Sequence, residues 1–121
     1  MRIILAAIFA VLSLSAIAAE IRVIDGDTIS VGRERIRIIG IDAPETRRAK
    51  CDAEYRRGMA AKARLGVLVS GGVQIRSQGR DRYRRTLAIV RDMQGRDVAA
   101  ILIREGLARA YNGRGRRQSW C

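Results

Sequence analysis

Apolar residues in the first half of the chain come in short, β-branched runs separated by polar breaks. Ile21 to Ile24, Thr28 to Val31 and Arg35 to Ile41 each have the length and composition of a strand. Gly32 to Glu34 between the last two reads as a turn, so three antiparallel strands are expected. From Asp52 the period changes. Tyr55, Met59, Ala63 and the region Leu65 to Leu68 recur at helical spacing, with arginines and Lys62 on the other face, until Gly71-Gly72 stops the helix. Val73 to Arg76 and Thr86 to Val90 predict two more strands, joined by a polar, arginine-loaded loop from Ser77 to Arg85, and Gln94-Gly95 predicts a turn. Asp97 is placed to N-cap a second helix, Val98 to Glu105, with Val98, Ile101 and Leu102 as its apolar face and Gly106 as its end. From Asn112 onward the chain reads as a basic loop.

Five short strands with one helix after the third and another after the fifth define an α+β chain whose element order is that of a five-stranded OB-fold β-barrel with two helices. The 121 residues suffice for one domain. Residues 1–18, with 19 as the alternative boundary, lie outside that domain. Met1-Arg2 is a short positive start, Ile3 to Ile17 is nearly all apolar, and Ala16-Ile17-Ala18 fits a small-residue cleavage signal. A secretory signal peptide is expected, leaving 19–121 as the mature domain. An apolar run of about 15 residues falls short of the roughly 20 that usually span a bilayer, so no stable membrane association is expected after cleavage. The destination is the medium or a periplasm.

The formal charge is +12, and the leader removes one arginine from it. Such an excess attracts polyanions, of which nucleic acid is the commonest, although anionic lipid or polysaccharide satisfies the same charge. Lys50 and Lys62 are the only lysines, and arginine's planar fork suits bidentate phosphate contact, but genome composition produces the same bias. Cys51 and Cys121 both lie in the mature part. In an oxidising compartment an even pair predicts a disulfide, which for a loop of about 70 residues contributes roughly 4 kcal/mol in the chain-entropy model.

The densest chemistry lies in Asp25-Gly26-Asp27 and, one hairpin later, Asp42-Ala43-Pro44-Glu45, with all four carboxylates at strand ends. If the two segments are neighbours, Asp27 and Asp42 supply oxygen ligands suited to a hard cation such as Ca²⁺. The chain has no histidine, so a histidine base is impossible, and with the cysteines paired a zinc site is disfavoured. Glu45 is then the leading residue to activate water. Strand alternation groups Arg37 with Ile39 and Ile41, which predicts a guanidinium that needs an anionic partner: a phosphate, or in the plainer reading Asp42 or Glu45.

VIDGDT, RIIGIDAPE, DRYRRTLA and REGLARAY occur in that order from Val23 to Tyr111. In this the chain resembles the staphylococcal (thermonuclease-like) nuclease family over nearly all of the mature part. The resemblance implies an OB-fold, Ca²⁺-dependent phosphodiesterase acting on DNA and RNA. It implies Asp27, Asp42 and the backbone carbonyl of Ala43 as metal ligands, with Asp25 close by, and Glu45 as general base. It assigns Arg37 and Arg85 to the scissile phosphate and Tyr83 and Tyr111 to nucleotide contacts. Arg80, Arg82, Arg84 and Arg85 crowd one loop, and only the match to DRYRRTLA selects Arg85. Ala43 replaces a threonine of the staphylococcal enzyme, which leaves a carbonyl ligand intact. Arg84 stands where the family usually carries glycine. A Cβ resists positive φ, so the loop is expected to be re-aimed and Arg85 displaced. The chain also ends at Trp120-Cys121 without the staphylococcal third helix, and a similar Trp-Cys ending in some exported relatives supports Cys51 to Cys121 as a staple in its place. Trp120 is expected to pack as a core or cap residue.

The expectation is thus an exported, monomeric, calcium-dependent nuclease. Its main rival is an OB-type module that binds single-stranded nucleic acid through arginine and tyrosine without cutting it. A basic envelope protein using its charge for adhesion is a third reading.

Overall fold

The computed structural model describes residues 20–121. The expected signal peptide therefore lies outside the described residues. The described chain forms β1 (Ile21–Asp25), β2 (Thr28–Val31), β3 (Glu34–Ile38), β4 (Ile41–Asp42), α1 (Asp52–Val69), β5 (Val73–Arg80), β6 (Thr86–Asp92), α2 (Val98–Arg104) and β7 (Arg109–Ala110). Five strands make one mixed sheet in the order β1-β2-β3-β6-β5, while β4 and β7 form a separate two-stranded sheet. The first three strands pair antiparallel, as their spacing predicts, and β3 runs parallel to β6. This α+β arrangement is consistent with the expected OB-fold, with the sheet left open between β1 and β5.

The core is aliphatic. Ile29, Ile36, Ile38, Ile41, Leu65, Val90, Val98 and Leu102 are almost fully buried, and they come from both helices and from strands of both sheets. Strand β6 shows the cleanest alternation: Thr86, Ala88, Val90 and Asp92 point inward. Asp97 caps α2 by accepting the Ala100 N–H, and Gly106 takes a positive φ of 73° just past its end, both as the sequence predicts. Among the described residues no helix is long and apolar enough to cross a membrane.

Three local expectations are corrected. The run Arg35 to Ile41 is not one strand. It breaks at Ile39-Gly40, where Gly40 has φ 92°, and Ile41 and Asp42 pair with Ala110 and Arg109 instead. In consequence Ile36 and Ile38 face the core and Arg37 faces the other side of β3, not the side of an apolar set. The buried face of α1 is Glu54, Gly58, Ala61, Leu65, Leu68 and Val69, whereas Tyr55 and Met59 are 49% and 41% exposed. Small residues set this rotation. A Cβ on Gly26 would meet Ala61 Cβ at 2.6 Å, so the helix and the β1–β2 turn touch backbone to small side chain. Finally, β5 continues to Arg80, through a bulge between Ser77 and Gly79, and so shortens the expected loop. As an exposed edge strand rich in polar residues it lacks the apolar alternation that reveals β6.

Candidate functional site

The site is built where the β1–β2 turn meets the segment after β4. Asp27 is buried, 6% exposed, and its two oxygens are differently engaged. Oδ1 accepts the Thr28 hydroxyl at 3.0 Å and Oδ2 accepts the Ala43 N–H at 2.8 Å. The second bond ties together the two carboxylate-bearing segments that the sequence separates by a hairpin. It also fixes the Ala43 backbone against Asp27. Beside it, Asp25 Oδ1 accepts the Thr46 hydroxyl at 2.6 Å, a second tie between β1 and the segment following Pro44.

Arg37 reaches this cluster. Its Nη2 lies 3.5 Å from Asp27 Oδ2 and its Nη1 donates to the Ile38 carbonyl at 3.0 Å. Its anionic partner is Asp27, where the plainer sequence reading named Asp42 or Glu45. The Arg37 side chain is only 11% exposed, so its charge acts in a medium that screens it less than bulk water does.

Asp42 is equally buried and doubly held. Oδ2 accepts the indole N–H of Trp120 at 3.1 Å, and Oδ1 accepts from Arg117 at 3.1 Å. Arg117 also lies 3.6 Å from Glu45 Oε1. The Glu45 carboxyl titrates above its ordinary range, first because it is partly buried and then because Asp25, Asp27 and Asp42 repel its charge, with Arg117 opposing them. Its backbone is anchored from the helix: Glu54 of α1 accepts the Glu45 N–H at 3.2 Å and the Lys50 N–H at 2.9 Å.

The other expected residues have partners of their own. Arg85 Nε donates to Asp81 Oδ2 at 2.7 Å, and its guanidinium lies 5.3 Å from the Tyr83 ring centroid. Tyr83 is 64% exposed, with Arg82 over the same ring at 5.0 Å. Tyr111 donates its hydroxyl to the Gly115 carbonyl at 2.7 Å and its N–H to the Gly40 carbonyl, which places it next to the break before β4. Arg84 takes up φ 63° itself, the sole positive φ of a non-glycine among the described residues, so the turn keeps the backbone that glycine would give it.

Cys51 and Cys121 are bonded, as expected, with Cα atoms 6.0 Å apart. Trp120 is buried, 8% exposed, as expected of a cap residue. Arg117 and Glu54 were not singled out from the sequence. Arg117 sits among Arg114 and Arg116 in a stretch that reads as solvated loop, and only the bridge to Cys51 brings it back. Glu54, three residues after the cysteine that caps α1, carries a recognisable helix-start signal.

For a cation, the donor chemistry is all oxygen and the surrounding charge is negative enough to perturb Glu45. Among the described residues no three His, Cys, Asp or Glu side chains converge as a ready cage. The set therefore fits a hard ion that takes part of its shell from backbone carbonyl and water, and not one that needs a closed side-chain cage.

An open mixed sheet with a helix inserted between β3 and β6, carrying two buried aspartates, a half-buried glutamate and a largely covered arginine, is consistent with an OB-type domain. The chain belongs to the staphylococcal nuclease family: the family model described as Staphylococcal nuclease homologue matches residues 35–119. Among curated proteins it is 36% identical to the Thermonuclease of Staphylococcus intermedius over 96 residues, covering 74% of this chain and 56% of that protein. It is 35% identical to Endonuclease YncB of Bacillus subtilis over 95 residues, covering 73% of this chain and 44% of the relative. It is 36% identical to Protein ParB of Escherichia coli over 108 residues, covering 79% and 58%. The chain thus spans about half the length of these relatives.

Proposed function

We propose that this chain is an exported, calcium-dependent nuclease that hydrolyses phosphodiester bonds of DNA or RNA as a monomer. The observation that carries this reading is the bond from the Ala43 N–H to Asp27 Oδ2, which ties the segment bearing Asp42 and Glu45 to the turn bearing Asp27, with Arg37 alongside. Family membership and the names of the thermonuclease and endonuclease relatives support the same reading. The disulfide supports an oxidising destination.

In this reading Asp27, Asp42 and the Ala43 carbonyl would hold Ca²⁺, which would supply a Lewis acid for the phosphoryl oxygen. Glu45 takes the proton of the attacking water. The raised affinity of its carboxyl for a proton suits that role, since a stronger base accepts a proton more readily. Arg37, already desolvated and donor-rich, neutralises charge building on the phosphate. Arg85 enters β6, the strand running beside that of Arg37, and completes the clamp when phosphate replaces Asp81 as its partner. Tyr83, exposed between two arginines, offers a face for a base, and Tyr111 lines the approach near β4.

The test is digestion of plasmid and of RNA by the disulfide-intact protein, with Ca²⁺ or with chelator. Cleavage in Ca²⁺ alone is expected. Retarded but uncut nucleic acid identifies the non-catalytic binding module instead, and no interaction at low salt leaves only adhesion through charge. Glu45→Gln should lower turnover by about 10²–10⁴ while leaving the melting temperature near wild type. Wild-type digestion by that variant removes Glu45 from the role of base.

A further inference from the structure

The segment that ends the chain is fastened at several points, and one of them falls on a carboxylate of the site. Cys121 is bonded to Cys51, the residue that caps the N-terminus of α1. Its own N–H donates to Ser119 Oγ at 3.0 Å, and the Ser119 carbonyl accepts from Arg109 at 2.9 Å. The Arg109 guanidinium lies 3.7 Å from the Trp120 ring centroid, within cation-π range. Arg109 is also the register partner of Asp42 across the β4–β7 pair. The indole is therefore stacked on the strand residue opposite Asp42, one residue before the disulfide, and its N–H ends on Asp42 Oδ2. An indole N–H donates one hydrogen bond and accepts none, so this contact fixes which Asp42 oxygen is used up and which, Oδ1, is left to Arg117.

We propose that Trp120 is a positioning residue for Asp42, orienting that carboxylate as a metal ligand through its indole N–H. The inference rests on the reading of Asp42 as a Ca²⁺ ligand. Carboxylates that bind metals are themselves hydrogen-bonded, and removing such a partner typically lowers metal affinity about 10–100-fold. With Oδ2 held by the indole, Asp42 keeps its orientation when a cation displaces Arg117 from Oδ1, so less rotational freedom is lost on binding. Phenylalanine at this position keeps a ring for Arg109 to stack on but has no N–H, so Trp120→Phe separates packing from orientation.

Calorimetric Ca²⁺ titration of the full chain with its disulfide intact tests this on wild type, Trp120→Phe and Asp42→Asn, alongside melting in chelator. Trp120→Phe is expected to bind Ca²⁺ at least about tenfold more weakly, with a melting temperature in chelator that falls far less than that of Trp120→Ala, melted alongside as the packing control. Unchanged affinity in Trp120→Phe, with binding lost in Asp42→Asn, overturns the role of Trp120 and leaves the metal site standing. Unchanged affinity in Asp42→Asn overturns the site and the role together. Trp120 is the only tryptophan, so a second readout needs no folded variant of it: wild-type protein labelled with ¹⁵N shows a single indole N–H resonance. That resonance is expected to shift on Ca²⁺ addition and to move again in Asp42→Asn. An indole signal indifferent to both overturns the proposal.

Discussion

Gly58 of α1 lies directly against the backbone of Glu45. A Cβ built there would stand 2.9 Å from both the Glu45 carbonyl carbon and the Pro44 carbonyl oxygen, and closer still to the Glu45 oxygen. Glycine inside a helix is ordinarily a cost, so its presence marks the closest approach of helix to site loop. Gly66, two turns on, is different: its nearest neighbour is Val23 Cγ2 at 4.0 Å. The same substitution should therefore change sign along one helix. Gly58→Ala is expected to lose about 1–3 kcal/mol through overpacking, and Gly66→Ala to gain about 0.5–1 kcal/mol. Urea melts of the two variants decide it, and equal effects would mean that α1 does not seat on this loop.

Arg84 carries the one left-handed non-glycine backbone among the described residues. For a residue with a Cβ that conformation costs about 1–2 kcal/mol, part of which Arg84→Gly returns as greater freedom of the unfolded chain. The Asp81 hydrogen bonds that define the turn come from Tyr83 and Arg85 and survive the change. Arg84→Gly should then be stabilised by up to about 1 kcal/mol in denaturant melts. A clear loss of stability would show that the Arg84 side chain holds its turn in place.

The carboxylate cluster was legible because its residues sit one hairpin apart: the β2–β3 pairing brings Asp27 to Ile38, and the Ala43 N–H bond to Asp27 closes the remaining step past the break at Ile39-Gly40. The cap at Asp97 was legible for a similar reason, since cap and helix are adjacent in sequence. The turn of α1 toward the core was not, because Tyr55 and Met59 outrank Gly58 and Ala61 in hydrophobicity while the close contact with Gly26 and Glu45 selects the small residues. Nor was the full length of β5, whose inward contacts are made by backbone pairing with β6 more than by apolar side chains. The contacts of Trp120 and Arg117 with Asp42 span 78 and 75 residues. Their geometry follows from where the disulfide lands on α1, which no local pattern encodes.

Asp81 links acid sensitivity to the turn that holds Arg85. Burial by itself would raise its pKa, but the N–H groups of Arg85 and Tyr83 and the Arg85 guanidinium outweigh burial and the net shift is downward. A carboxyl whose folded pKa is depressed contributes stability that is fully present above its unfolded pKa and is lost as pH falls through the folded value. Asp81→Asn is expected to melt below wild type at pH 7, with the gap closing as pH drops under about 3.9, the ordinary aspartate value. A gap that persists unchanged to pH 2 would show that the charge of Asp81 contributes nothing to the turn.

Glu54 fastens the proposed base to the helix without touching any substrate. Its carboxylate accepts the N–H groups of both Glu45 and Lys50, while its own N–H donates to Cys51 Sγ, so Cys51 caps α1 and Glu54 ties the residues before the cap to the helix. Buried at 5% exposure, it cannot be replaced there by water. Glu54→Gln keeps the shape but turns an NH₂ group toward one of the two donors. Leaving a buried N–H unpaired costs about 1–3 kcal/mol, and that loss of stability is expected in thermal or urea melts. The Glu45 bond is the longer of the two, 3.2 Å against 2.9 Å, so the NH₂ group is expected to face Glu45, and turnover on nucleic acid should fall further than stability predicts when both are measured at a temperature where the variant is fully folded. If activity of the folded variant instead matches wild type, Glu54 serves α1 alone and the position of Glu45 is set from the strand side, by the Thr46 bond to Asp25.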